Sequence, residues 1–186
     1  MNTEILKLFN QIEIDAESYI EAISDITMNS PVYAAAFWLF YCDKNVIHPP
    51  ALAINSLEGL TSDSDELGSN KWSPPDWKYP DDGSFTEALM PLYLEISKLL
   101  KGADDDAWEE VIRLNDHLYC RLSKLVTTRA HSKTGKFSGW NITEDFVTLA
   151  MEESAGPEFY NWLIKASVEA DRLEKLESVL FENICN

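Results

Sequence analysis

The sequence predicts an α+β fold: a small, mostly antiparallel sheet packed against several helices. Three observations carry that expectation. Residues 32–42 form an aromatic-rich apolar run, VYAAAFWLFYC, and a second apolar segment, residues 46–54, follows the turn-like Asp43-Lys44-Asn45. The run does not alternate apolar with polar, so it reads as the first strand of a hairpin, buried on both faces. Several other stretches repeat apolar residues at helical spacing. Finally, Phe146-Val147-Thr148-Leu149-Ala150-Met151 reads as a third strand that pairs with the hairpin.

Residues 1–186 are expected to form one domain, because a chain of 186 residues is long enough for a sizeable single core. Two short helices are expected first. Ile5, Leu6 and Phe9 share a face after an Asn2/Thr3 cap, and Asp15 is placed as the cap of a second helix carrying Tyr19, Ile20, Ile23 and Ile26. In the second strand, His48-Pro49-Pro50 removes two backbone donors, which suits a sheet edge or a bulge.

From about residue 56 to 83 the composition turns to Ser, Asp, Gly and Pro, with TSDSDELGSN followed by KWSPPDWKYPDDG. This is expected to be a long acidic loop, pinned to the body at its tryptophans and mobile in its TSDSDE half. A helix then begins at Asp82 or Ser84, with Phe85, Leu89, Leu92, Tyr93 and Ile96 on one stripe and Pro91 as a kink or start. Gly102 ends it. Asp104 caps the clearest helix of the chain, striped with Trp108, Val111, Ile112, Leu118, Tyr119, Leu122, Leu125 and Val126. Its acids come first and its bases last, which complements the helix dipole. After Pro157, the spacing of Phe159, Trp162, Leu163, Ala166, Ala170, Leu173, Leu176 and Leu180 predicts a helix to the end.

The net charge of −17 disfavours nucleic acid and anionic membranes as partners and favours a basic protein. Plain solubility explains it equally simply. Three scattered cysteines argue against a disulfide framework and for a reducing compartment. No apolar run reaches the about 20 residues a membrane span needs, and the N-terminus lacks a signal-peptide pattern. A cytoplasmic protein is expected.

Chemistry is scarce. His48, His117 and His131 lack companions at metal-ligand spacing, so no metal and no cofactor is expected. Cys42 with His48 across the hairpin turn is the one imaginable nucleophilic pair, and the apolar surroundings of Cys42 speak against it. Neither Asp81-Asp82 nor Glu152-Glu153 makes an acid/base dyad, and no phosphate loop is present. No catalytic residue is assigned, and an enzyme is not expected. Two surfaces remain. Trp72, Asp76, Trp77, Asp81 and Asp82 combine aromatic anchors with carboxylates, as partner-binding loops do; covering the sheet edge left open by the Pro49-Pro50 strand is the simpler role for both tryptophans. The second lies in the basic zone of residues 113–136, where Arg113, Arg121 and Lys124 are candidates for holding an anionic group. The dipole-matched helix end is its simpler explanation.

The strand ending FYCD, the Asn-Ser-Leu-Glu-Gly segment, KWSPPDW and ITEDFVTLAMEES together resemble a bacterial family of unknown function, number 4303 in the domain-of-unknown-function series. The likeness covers residues 14–167. Such small acidic α+β proteins are similar in character to immunity proteins of bacterial polymorphic toxin systems, including the SUKH superfamily. The family has no established activity and brings no catalytic motif. The net charge, the missing chemistry and the acidic tryptophan loop lead to the expectation of a non-enzymatic immunity-type protein that binds a basic, nuclease-like toxin.

Overall fold

A computed structural model describes residues 2–23, 30–39, 46–62, 73–77, 83–152 and 156–174. The α+β class holds. Helix α1 spans Thr3–Ile23, strands β1 and β2 span Val32–Leu39 and Ala51–Ser56, and α2 spans Leu57–Ser62. Helices α3 and α4 span Ser84–Leu99 and Asp105–Ser132, β3 spans Ile142–Glu152, and α5 spans Pro157–Ser167.

Among the described residues, the strands form one sheet in the order β2-β1-β3. β1 pairs with β2 antiparallel, from Val32 opposite Ser56 to Trp38 opposite Ala51. β3 joins the other side of β1 in parallel, with Ala34 beside Val147 and Leu39 beside Glu152. The sheet is therefore mixed. A parallel neighbour needs a long crossover, and α3 and α4 supply it. The expectation of a mostly antiparallel sheet is corrected in this respect: one of the two pairings is parallel, because strand composition says nothing about direction.

The apolar run of β1 is buried almost throughout, as a central strand requires. A bulge at Val32/Ala34 puts Tyr33 and Ala34 into the same apolar cluster, after which strict alternation resumes. Ala35, Phe37 and Leu39 join Leu52, Ile54 and Phe146 in the main core under α1, α3 and α4. Ala36, Ala53, Val147, Leu149 and Met151 form a smaller core on the opposite face with Trp77, Ile164 and Val168.

The chain opens with one helix where two were expected. Ile5, Phe9, Ile12, Ala16 and Ile20 make a single unbroken buried stripe at intervals of three and four. Asn2 caps it, its Oδ1 accepting from the Glu4 N–H at 2.9 Å. Asp15 does not cap: its Oδ1 accepts from Gln11 Nε2 at 2.9 Å, a side-chain pair within a continuous helix.

Gly83, with φ 92°, turns the chain into α3. Pro91 neither starts nor ends that helix; it sits inside, on an exposed position. The lost partner is the carbonyl of Glu87, itself an exposed residue, so the interruption stays at the wet surface. Asp104 caps α4 as expected, accepting from the Ala107 N–H at 3.0 Å.

In its described residues, the segment expected as a long loop carries regular structure: α2 at its start and a 3-10 turn at Pro74–Asp76. His48-Pro49-Pro50 precedes β2, which starts at Ala51 on the sheet's edge. Helix α5 ends at Ser167 rather than running on. Ser167 Oγ donates to the Leu163 carbonyl at 2.7 Å and accepts the Ala150 N–H at 2.9 Å, which docks the helix end on β3. Extended Val168 breaks the helix. Helical structure resumes over residues 170–174, as the spacing of Ala170 and Leu173 predicts, with the Arg172 and Leu173 N–H groups on the Glu169 carbonyl.

The outer edge of β3 is thereby finished with side chains. Thr127 Oγ1 of α4 accepts the Thr148 N–H at 2.9 Å, and Ser167 of α5 takes the next outward-facing donor, Ala150. Both would otherwise be open to pairing with another strand. No helix among the described residues is long and apolar enough to cross a membrane.

Candidate functional site

Proline at the first position presets the 3-10 turn of Pro74–Asp76, and the Trp77 N–H closes it on the Pro74 carbonyl at 3.2 Å. The turn drives Trp77 onto the second face of the sheet, where it is 3% exposed and meets Tyr33 edge-on at 6.4 Å. Its indole nitrogen is buried without a hydrogen-bond partner among the described residues. Trp77 therefore fills space. The Asp76 backbone belongs to the turn; its side chain, with Trp72, Asp81 and Asp82, lies outside the described residues.

The basic candidates all sit on α4. Arg113, His117 and Arg121 recur every four residues, which at 3.6 residues per turn keeps them on one slowly drifting, exposed stripe. Lys124, one turn further, is half-buried. Helix α1 answers two of the guanidiniums. Arg121 Nη2 lies 3.1 Å from Glu13 Oε2 and its Nε 3.4 Å from Oε1, a bidentate pair. Arg129 Nη2 lies 3.1 Å from Glu17 Oε2. The basic zone thus also clasps α1, a contact between residues more than a hundred positions apart that no local spacing signals.

On the other side of the stripe lies a group the sequence did not single out. The Phe159 and Trp162 rings stack at 5.5 Å with an interplanar angle of 27°, and His117 meets Trp162 edge-on at 5.3 Å. Phe159 is 37% exposed and Trp162 36%. Helical spacing suggested a core stripe for both. The buried face of α5 is instead Leu163, Ile164 and Ser167, and Trp162 lies most of a half-turn from its centre.

Beneath α5, Cys120 is buried, with Ser167 Oγ 3.6 Å from its sulfur and Leu163 O at 3.8 Å. Burial pushes its thiol up to about 11; the Ser167 hydrogen bond works against this, and the Asp116 carboxylate adds to it. At neutral pH it is a protonated thiol, unsuited to nucleophilic work. Burial likewise raises the Tyr160 hydroxyl to about 12. Deeper in the core, Tyr93 Oη donates to Asn115 Oδ1 at 2.6 Å and shares a 3.0 Å hydrogen bond with Tyr119.

The three histidines stay apart. His48 is half-buried ahead of β2, while His117 belongs to the aromatic group. His131 Nε2 lies 2.8 Å from Arg172 Nη1 and 2.9 Å from the Phe146 carbonyl. A guanidinium only donates and a carbonyl only accepts, so the Arg172 contact suits one ring tautomer and the Phe146 contact the other. Cys42, and with it the Cys42–His48 pair, lies outside the described residues. No group of three or more His, Cys, Asp or Glu among the described residues is placed to hold a metal ion.

An open cleft of about 550 Å³ lies where α3 hands over to α4, bordered by Val46, Leu94, Ser97, Lys101 and Trp108. It contains none of the residues expected to bind a partner or an anion. No family model, curated protein or solved structure matches the chain.

Proposed function

We propose that this chain is a non-enzymatic protein-binding domain that captures a basic protein, in the manner of an immunity protein neutralising a nuclease-like toxin in the bacterial cytoplasm. The observation that carries the reading is the net charge of −17. Carboxylates at Glu4, Asp105, Asp106, Glu109, Glu144 and Asp145 stand exposed on three separate elements, so the negative field is spread over the surface. Such a field accelerates encounter with a cation-rich partner and makes the rate fall with salt. The likeness to the numbered family and to SUKH-type proteins points the same way.

Stopped-flow association with a purified cationic nuclease domain of a bacterial toxin tests the reading. The on-rate should fall steeply as salt rises, and joint Asp76→Lys, Asp81→Lys and Asp82→Lys substitution should slow it by about tenfold, the scale on which steering operates. A salt-independent rate would sink the electrostatic reading, and an unchanged triple variant would remove the loop from it.

A second reading has one observation in its favour: Arg113 and Arg121 stand exposed on one stripe of α4. There they, with Lys124, would hold a small anionic group. Saturable thermal stabilisation by inorganic phosphate or a nucleotide, lost in Arg121→Ala, is its expected signature.

A further inference from the structure

We infer that the exposed surface formed by Phe159 and Trp162 of α5 with Arg113 and His117 of α4 is a docking site for a protein segment that carries an apolar anchor side chain next to a carboxylate. Large aromatics on a surface are unremarkable singly; here two stack on one another and a histidine closes one side. The direction of α5 extends the group towards Arg113. Trp162 lies against His117, while Leu163 and Ser167 lie against Cys120, so the two helices run the same way. Phe159, one turn before Trp162, therefore lies towards the turn of α4 that carries Arg113. Aromatic rings with an adjacent arginine are the residue types that dominate binding energy at protein interfaces.

Charge chooses the occupant. Glu13 already holds Arg121 at 3.1 Å, whereas Arg113 stands exposed one turn before His117. Lys124 and Lys165 add positive charge along the two helices, and Glu109, Glu110 and Glu158 oppose it. A single carboxylate matched to Arg113 suits that balance. A polyanionic nucleic acid strand would meet the repulsion of the remaining acidic surface over a longer track. At physiological salt, fields fade within about 8 Å, so a short segment senses mainly these neighbours. This surface is independent of the basic-partner reading. It shares Arg113 with the small-anion reading, and the aromatic pair separates the two.

The test is an NMR titration of the isotope-labelled full chain with an acetylated, C-terminally amidated Gly-Trp-Asp-Gly peptide, which carries one carboxylate. Saturable shifts are expected at the Trp162 indole N–H and along residues 113–121 and 158–163. Trp162→Ala and Arg113→Glu should each weaken binding by about tenfold, the scale of losing an interface anchor. Arg113 is exposed, so its variant keeps the test valid if the tryptophan variant folds poorly. Equal binding of a Lys-Arg-Trp-Arg-Lys peptide, or shifts confined to another face, would overturn the proposal. So would the same shifts from inorganic phosphate alone, tighter binding of an oligothymidine, or concentration-dependent self-association through this patch.

Discussion

Trp77 and Trp162 are the same residue in opposite circumstances. Trp77 sits in an acidic, proline-rich segment that has the composition of a docking loop, yet its ring is 3% exposed and packs on Tyr33 across the second face of the sheet. Trp162 sits in an amphipathic helix that has the spacing of a core element, yet it is 36% exposed and stacks on Phe159 at the surface. The expectation that the loop is pinned to the body at its tryptophans holds for Trp77, whereas the helical spacing of α5 misjudged Trp162. What decides is the partner surface: a sheet with an uncovered face recruits Trp77, while α5 has Leu163 and Ile164 to bury and leaves Trp162 outside.

The largest effect separating the two regions should come from Trp77→Ala. Emptying a buried indole site costs about 3–5 kcal/mol, and urea denaturation will read it directly. Trp77→Phe should recover a good part, because the buried indole nitrogen has no hydrogen bond to lose among the described residues. A loss under 1 kcal/mol for the alanine variant would mean that the turn, rather than the ring, holds the segment.

Alkaline pH should strike next, beneath the Trp162 region. Folding raises the Cys120 thiol from 9.0 to about 11. The protonated state is thus favoured in the fold. Its contribution is whole below about pH 9 and is lost as pH rises through about 11, at about 1.4 kcal/mol per unit. Wild type should lose about 2–3 kcal/mol more than Cys120→Ala between those limits. Parallel pH profiles for the two proteins would show that the thiol beneath α5 is not sealed from water.

Ser167→Ala sharpens the same region with a smaller effect. It strands the buried Ala150 N–H and frees the end of α5 from β3, at about 1–3 kcal/mol. Hydrogen exchange should quicken at Ala150 while the β1–β2 pairing stays protected. Equal quickening in β2 would show that the two sides of the sheet do not open separately.

These outcomes bear on what the chain discloses unaided. The burial of β1 was legible because an unbroken apolar run has no side to give to water, and the Asp104 cap and the stripe of α4 follow from local spacing. The parallel direction of β3 was not, since a strand's residues are the same whichever way it runs. Asp15 drew a break in α1 because its type favours caps, but the Ile5-to-Ile20 stripe is continuous and tertiary burial overrode the local preference. The basic zone was visible as composition, while its grip on Glu13 and Glu17 joins distant residues and is a property of the fold alone. Phe159 and Trp162 could have been found by asking which face of α5 Leu163, Ile164 and Ser167 already fill.

The smallest stability change should come from Trp162→Ala, and that smallness matters. Losing ring contacts with Phe159 and His117 removes about 1 kcal/mol, the worth of an aromatic pair in a partly hydrated setting. A core residue would cost several times more. If Trp162→Ala unfolds as readily as Trp77→Ala, the stacked pair is holding α5 against α4 and its exposure is incidental. If it stays within about 1 kcal/mol of wild type while peptide binding falls, the ring contributes more to recognition than to the fold. Measured side by side, the two tryptophans then divide the molecule into a face that closes the sheet and a face that remains open to a partner.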